Sequence, residues 1–309
     1  MAKTQPGTGR STSRLTSVLL IMICLVSGFI CYYFYRSLNI SKNNIENYNT
    51  ICTEFDKQIE EEKKKVNELV IEKEKALNIA EQLQNIKQTY YENVVKVDNK
   101  AKYGDGSVRV CYLTFDDGPY KITSKFLDVL EEKDVLATFF CVKKDGYDDI
   151  YKRERDNGHT IGNHSATHTI RYVYRSEETF IEDIKENQNF IYDLLGIKTN
   201  VMRFPGGSNQ ATYMGLNKAK IVDGLQEIGY GYVDWSHMTG DGDDSIKQDP
   251  NVYLHNIIDN IDNKNVITIL MHDYSECTLK CLPTLIDTLK EEGFIFLPLY
   301  YDCSVVKKA

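Results

Sequence analysis

The segment VRVCYLTFDDGP, residues 108–119, decides the architecture: a run rich in apolar and β-branched side chains leads straight into Asp116, Asp117, Gly118 and Pro119. The apolar part has the length and composition of a strand, and its polar end consists of turn formers. Working outward, similar short runs recur at 136–141, 159–162, 200–204, 230–235, 266–271 and 294–297. Amphipathic stretches separate them, the clearest at 177–195 and 282–292. This alternation predicts a parallel α/β fold. Seven strands with six intervening helical segments predict a barrel of parallel strands.

In such barrels the chemistry is built at the C-terminal ends of several strands. Four polar clusters fall at those ends: Asp116-Asp117, then His164-Ser165-Ala166-Thr167-His168, then Arg203-Phe204-Pro205-Gly206-Gly207, then His272-Asp273. Successive side chains of an extended segment alternate in direction, so one of the adjacent aspartates can hold a metal while the other faces a substrate. On its own, Asp-Asp-Gly-Pro reads equally as a plain turn. His164 and His168, four apart, bring two imidazoles to one side of a helical turn, a spacing that suits one zinc ion; alone, such a pair is more often two unrelated surface histidines. A carboxylate at another strand end completes a two-His, one-carboxylate set with positions left for water and substrate.

TFDDGP, HSxxH, RFPGG and the LMH strand end, in this order, resemble the polysaccharide deacetylases of the NodB-homology class, carbohydrate esterase family 4, over about residues 108–299. The resemblance implies a distorted (β/α)7 barrel, a zinc ion or another divalent metal such as Co2+, and removal of acetate from N-acetylated sugars. By position, Asp117, His164 and His168 resemble the metal ligands, Asp116 the general base, His272 the general acid, and Arg203 the cation that holds the base. Pro205 and Gly206 fall in the RxP motif, whose backbone N–H shares the oxyanion with the metal. Many members carry an Asp and a Trp downstream of the fifth strand; here Met238 and Gly242 stand there, so the carboxylate partner of the catalytic histidine is expected to be missing, with Asp241 or Asp234 as substitutes. Trp235 and Tyr274 are candidates to line a sugar groove or to pack at strand ends. His159 is expected to pack or bond a backbone group, and His237 and His255 to lie on the surface.

Residues 15–35 carry no charge and match the length of a membrane-crossing helix. The bulky Tyr32, Tyr33, Phe34 and Tyr35 at their end favour a retained span over a cleaved signal. The expectation is a single-pass protein of the cell membrane with a cytoplasmic tail (1–14) and an extracytoplasmic remainder. Residues 41–100 contain no Pro or Gly and are dominated by Glu, Lys, Asn and Gln, which predicts a helical stalk. Its a/d seam is broken by three charged positions, so a coiled-coil homodimer and a single solvated helix are both open. The catalytic domain is expected over 101–309. A net charge of -8 argues against a nucleic-acid partner. No cysteine pair has CxxC spacing, and Cys277, Cys281 and Cys303 could be bridged if the domain is oxidised. An outward-facing domain on a stalk suits peptidoglycan, with N-acetylglucosamine as the favoured unit. N-acetylmuramic acid, an exopolysaccharide, chitin-like oligomers, and an impaired glycan-binding or envelope protein are the alternatives.

Overall fold

The computed structural model describes residues 9–37, 45–242, 249–261 and 264–300. Residues 1–8 of the expected tail and Cys303 lie outside the described residues. The chain divides into two compact units, Met1–Gln84 and Asn85–Ala309.

The first unit contains helix α1 (Gly9–Ser37) and most of helix α2 (Ile45–Tyr103). The membrane expectation is corrected here: among the described residues no helix is long and apolar enough to cross a membrane. A single-pass membrane location is therefore not supported. On α2, Phe55, Ile59, Leu69 and Leu83 of the expected seam are exposed. The charged block forms exposed i,i+3 pairs, Lys63 with Glu60 at 2.5 Å and Lys65 with Glu62 at 2.6 Å, each worth little in water.

The second unit begins with the last turns of α2 and continues through β1 (Arg109–Asp116), α3 (Thr123–Glu132), β2 (Thr138–Cys141), α4 (Asp148–Asp156), β3 (Thr160–Asn163), α5 (Ile170–Val173) and α6 (Glu177–Leu195). Then follow β4 (Val201–Met202), α7 (Gln210–Tyr213), α8 (Lys218–Glu227), β5 (Gly231–Tyr232), β6 (His237–Met238), α9 (Pro250–Ile258), β7 (Val266–His272), α10 (Glu276–Glu291) and β8 (Phe294–Phe296). All pairings are parallel, in the order β5-β4-β3-β2-β1-β7-β6, and β8 pairs with the start of β1. The edge strands β5 and β6 are separated in sequence by residues 233–236 alone, so the sheet curls until its two edges approach each other. The result is a curled, incompletely closed (β/α)7-like barrel.

The core explains the curl. β1 is buried along nearly its whole length, and Phe115, Phe126 and Phe139 form a contiguous cluster, with Phe115 stacked 5.0 Å from Phe139. Such burial on both faces is what parallel strands require. Helix α6 matches the expected range because both ends are signalled: Ser176 accepts from the Thr179 N–H, and Gly196 ends the helix at φ +68°. Several elements differ from expectation, among them β4, which is shorter than the strand expected at 200–204. The strand expected at 230–235 is cut short to β5, because Arg203 takes the Val233 carbonyl at 3.3 Å and the Asp234 carbonyl at 3.1 Å, and β6, at 237–238, forms beyond the expected range. Helix α10 starts before residue 282 because Ser275 caps it by accepting from Thr278, and it runs on through Pro283.

The last turns of α2 belong to this unit by contact. Val94, Asp98 and Ala101 are buried, and the Asp98 carboxylate accepts from the Tyr112 hydroxyl at 2.5 Å and the Tyr300 hydroxyl at 2.9 Å.

Candidate active site

The ends of β1, β3, β4 and β7 bring the four polar clusters together. Asp117 follows directly after β1 with φ +70°, a left-handed conformation rarely adopted outside glycine, Asn and Asp. This turn separates the two carboxylates: Asp116 points to Arg203, and Asp117 to the histidines. Asp117 Oδ1 lies 3.3 Å from His164 Nε2 and 3.0 Å from His168 Nε2. Donor atoms of Asp117, His164 and His168 all fall within 4.8 Å of one another.

Whether these residues suit a metal is answered by their hydrogen bonding. Asp117 Oδ1 and His168 Nε2 are buried and close, yet neither has a hydrogen-bond partner of acceptable geometry. Two unpaired, converging donor atoms are costly unless a cation takes their lone pairs. His164 Nδ1 is 2.8 Å from the Arg203 carbonyl, which can only accept. Nδ1 therefore carries the proton, and Nε2 presents its lone pair to the cluster. Burial by itself would raise the Asp117 pKa, but the two imidazoles hold it well below the usual carboxylate range. The donor set, two imidazole nitrogens and one carboxylate oxygen, suits zinc or a similar divalent ion.

The histidine loop is held by a residue that its motif does not contain. Ser165 and His168 have φ of +86° and +47°, and Asp183, buried on α6, fastens them. Its carboxylate accepts from the Ser165 hydroxyl, the Ala166 N–H at 2.8 Å, and the Thr167 N–H and hydroxyl at 3.2 and 2.8 Å. Asn163 adds a bond from the Ser165 N–H to its Oδ1 at 3.0 Å.

Arg203 is fully buried: its Nε and Nη2 bind the Val233 and Asp234 carbonyls, and its Nη1 is turned to the site. Nη1 donates to Asp116 Oδ1 at 2.8 Å and to the Thr114 hydroxyl at 2.7 Å, and the guanidinium lies 4.3 Å from the centre of the Phe140 ring. The other carboxylate oxygen of Asp116 is 3.6 Å from His164 Nε2. Beyond β4, Gly206 and Gly207 sit at φ +76° and +86°, the Pro205 carbonyl accepts from Tyr174, and a Cβ at Gly207 would stand 2.9 Å from the Trp235 ring. Trp235 thus packs on the RFPGG turn, partly buried. Asp234 holds the same turn through the Ser208 N–H and hydroxyl at 2.9 and 2.7 Å.

Of the two substitutes expected for the carboxylate partner of His272, Asp241 takes the place, with Oδ1 at 2.7 Å from His272 Nδ1, while Asp234 holds the RFPGG turn instead. Burial alone would lower the His272 pKa, but the Asp241 bond and charge, with help from Asp116 and Asp117, raise it to about 9. Its Nε2 faces the cluster, 3.9 Å from Asp117 Oδ2. A Cβ at Gly242 would lie 2.7 Å from His272 Cε1, so the missing aromatic at this position is a steric match to the histidine. Met238 is exposed, while Tyr274 stacks on His272 at 5.1 Å. His159 accepts from the Ala137 N–H, as expected, and His255 is exposed. His237 differs from expectation: it is buried, with Nε2 2.9 Å from the Asn260 carbonyl and Nδ1 2.8 Å from the Ser236 hydroxyl.

A family model for polysaccharide deacetylases matches residues 103–230. The chain is 32% identical over 193 residues to a peptidoglycan-N-acetylglucosamine deacetylase of Bacillus cereus, covering 61% of this chain and 68% of the relative. The fold superposes on the catalytic domain of a peptidoglycan N-acetylglucosamine deacetylase from Eubacterium rectale with TM-score 0.60 and 30% identity, covering 65% of this chain and 93% of that one. A polysaccharide deacetylase from Bacillus cereus gives TM-score 0.57 and 30% identity over 62% of this chain and 92% of its own. Its sequence relatives, its fold and its converging strand-end clusters agree: the chain belongs to the polysaccharide deacetylase family.

Proposed function

We propose that the protein is a metal-dependent N-deacetylase of peptidoglycan that hydrolyses the acetamide of N-acetylglucosamine units. One observation carries this reading: two oriented proton-handling groups, Asp116 on Arg203 and His272 on Asp241, flank the three convergent donors Asp117, His164 and His168. The substrate is supported by the deacetylases from Bacillus cereus and Eubacterium rectale, both of which carry peptidoglycan N-acetylglucosamine in their names.

Asp117, His164 and His168 would hold the ion. When bound, it supplies Lewis acidity toward the acetamide carbonyl and the attacking water. Asp116 acts as general base: Arg203 occupies Oδ1 and leaves Oδ2, on the cluster side, to take a proton from water. His272 is the general acid. It carries a proton at neutral pH, Asp241 fixes its Nδ1, and Nε2 can protonate the departing sugar amine. The Gly206 N–H is proposed to help bind the oxyanion, and Trp235 to border the sugar site by packing on Gly207. Residues 41–100 are proposed as a helical stalk to the catalytic part.

The test is acetate release by the full chain from purified peptidoglycan and from N-acetylglucosamine oligomers, after chelation and after zinc is returned. Release from peptidoglycan that zinc restores supports the reading. A clear preference for the free oligomers would move the substrate to chitin-like glycans, and no metal dependence would overturn the reaction.

A further inference from the structure

The left-handed turn at Asp117 needs something to hold it, because an aspartate at φ +70° is disfavoured by roughly 1 kcal/mol. Two side chains outside the motif, Lys144 and Asp273, press on it. Lys144, three residues beyond β2, donates its Nζ to the Asp117 carbonyl at 2.6 Å and to the Pro119 carbonyl at 3.3 Å. The same ammonium lies 3.2 Å from the centre of the Tyr120 ring. One cation therefore touches three of the four residues from Asp117 to Tyr120. The segment carrying Lys144 is itself laced down: the Val142 N–H donates to the Gly118 carbonyl at 3.0 Å, and the Lys144 N–H to the Tyr151 hydroxyl at 3.2 Å.

Asp273 forms a second wall. A Cβ on Gly118 would sit 2.3 Å from Asp273 Oδ2, so only glycine lets the turn approach this carboxyl. Asp273 Oδ2 accepts from the Thr123 hydroxyl at 2.5 Å, and that hydroxyl accepts from the Tyr120 N–H at 2.8 Å. Asp273 directly follows His272 on the chain, so this wall also ties the turn to the strand end that carries the histidine.

We infer that Lys144 is a positioning residue which, against Asp273, holds the Asp117 carboxylate in register with His164 and His168 and so sets the affinity of the cluster for its metal. The inference rests on the metal site proposed above. Lys144 touches no donor atom of that cluster; it acts through the Asp117 backbone.

The test is a chelator-competition titration of Zn2+ into the full chain, wild type and Lys144→Met, together with the visible absorption of the Co2+ forms and the thermal midpoint of the metal-free proteins. Lys144→Met keeps most of the apolar stem and removes the charge and all donors. The expected result is Zn2+ binding weakened by about tenfold or more, the usual effect of removing a group that orients a ligand. The Co2+ bands should shift, and the metal-free midpoint should fall only modestly, by what the lost hydrogen bonds of Lys144 account for. Binding within twofold of wild type, with unchanged bands, overturns the inference. Should Lys144→Met fail to fold, Lys144→Gln, which also lacks the charge, is judged by the same two readings. Failure of the wild type itself to bind Zn2+ or Co2+ would strike the metal site and is distinct from equal binding by wild type and variant.

Discussion

Asp241 Oδ1 lies 2.7 Å from His272 Nδ1, while Asp241 Oδ2 accepts the His272 backbone N–H at 2.8 Å and the Thr278 hydroxyl at 2.6 Å. One carboxylate thus fixes the ring, the backbone and the start of α10 together. The folded pKa of about 9 exceeds the ordinary 6.5, so His272 is protonated at neutral pH and loses its proton as pH passes about 9. Activity should therefore fall on the alkaline side near that value. Asp241→Asn removes the charge that raises the pKa, and its alkaline limb should move down by about two pH units, with kcat lowered by about tenfold to a hundredfold. A pH–rate profile checks both. The same shift stabilises the fold fully below about pH 6.5 and is lost as pH rises through about 9, so the variant should show a flatter dependence of thermal midpoint on pH across that window.

Asp116→Asn should cut turnover by about a hundredfold to ten-thousandfold, the range for losing a general base. Asp116 lies beside the metal cluster rather than in it, with Oδ2 3.6 Å from His164, so Zn2+ affinity should be largely kept. Asp117→Ala should do the opposite in order of cause, losing metal first and turnover as a result. Parallel Zn2+ titrations and acetate assays separate the two. Normal activity in Asp116→Asn would remove the base assignment.

The motifs carrying Asp116, Asp117, His164, His168, Arg203 and His272 were legible because each sits at a strand end and the order of strands is set by local patterns. Asp183 was not, since it lies inside the amphipathic helix α6, where an acidic residue reads as solvated surface; only its burial and its bonds to 165–167 reveal its work. Asp241 was one of two candidates, and the choice over Asp234 depends on how the sheet edge curls, which no local pattern encodes. The early end of β5 was hidden for a related reason: the competitor for the Val233 and Asp234 carbonyls is Arg203, some thirty residues away. The N-terminal apolar run was read as a span from its length and lack of charge, and among the described residues no helix is long and apolar enough to cross a membrane.

Asp183→Ala should lower both the thermal midpoint and metal affinity. The change leaves the buried Ser165 hydroxyl and Ala166 N–H without the carboxylate they donate to, and each unsatisfied buried donor costs about 1–3 kcal/mol. Zn2+ binding should weaken by about tenfold to a hundredfold, because His168 loses the loop geometry that aims it. Thermal melts of metal-free protein alongside Zn2+ titration test this; unchanged metal affinity would limit Asp183 to a structural role.

A chain that begins at residue 101 discards Asn85 to Lys100, including the buried Val94 and Asp98. Asp98 is the carboxylate to which Tyr112 on β1 and Tyr300 after β8 donate. A fragment starting at 85 should therefore melt well above one starting at 101, and by more than the loss of an exposed helix would cause. Equal midpoints would place the boundary at 101.

By the resemblance, Gly242 falls at a position expected to carry a Trp, and introducing an aromatic there should harm rather than help. Any side chain would begin 2.7 Å from His272 Cε1, against an imidazole already held at the neighbouring Nδ1 by Asp241 and stacked on Tyr274. Since Asp241 and Tyr274 leave the ring little room to retreat, Gly242→Ala should swing Nε2 away from the cluster and lower kcat by about tenfold or more, with KM changed much less. Gly242→Trp should be at least as damaging. Zn2+ affinity should survive in both, because Asp117, His164 and His168 lie on other loops. A Gly242→Trp protein with wild-type kcat would show that the loop carrying Asp241 shifts to make room, and that His272 is positioned by Asp241 alone.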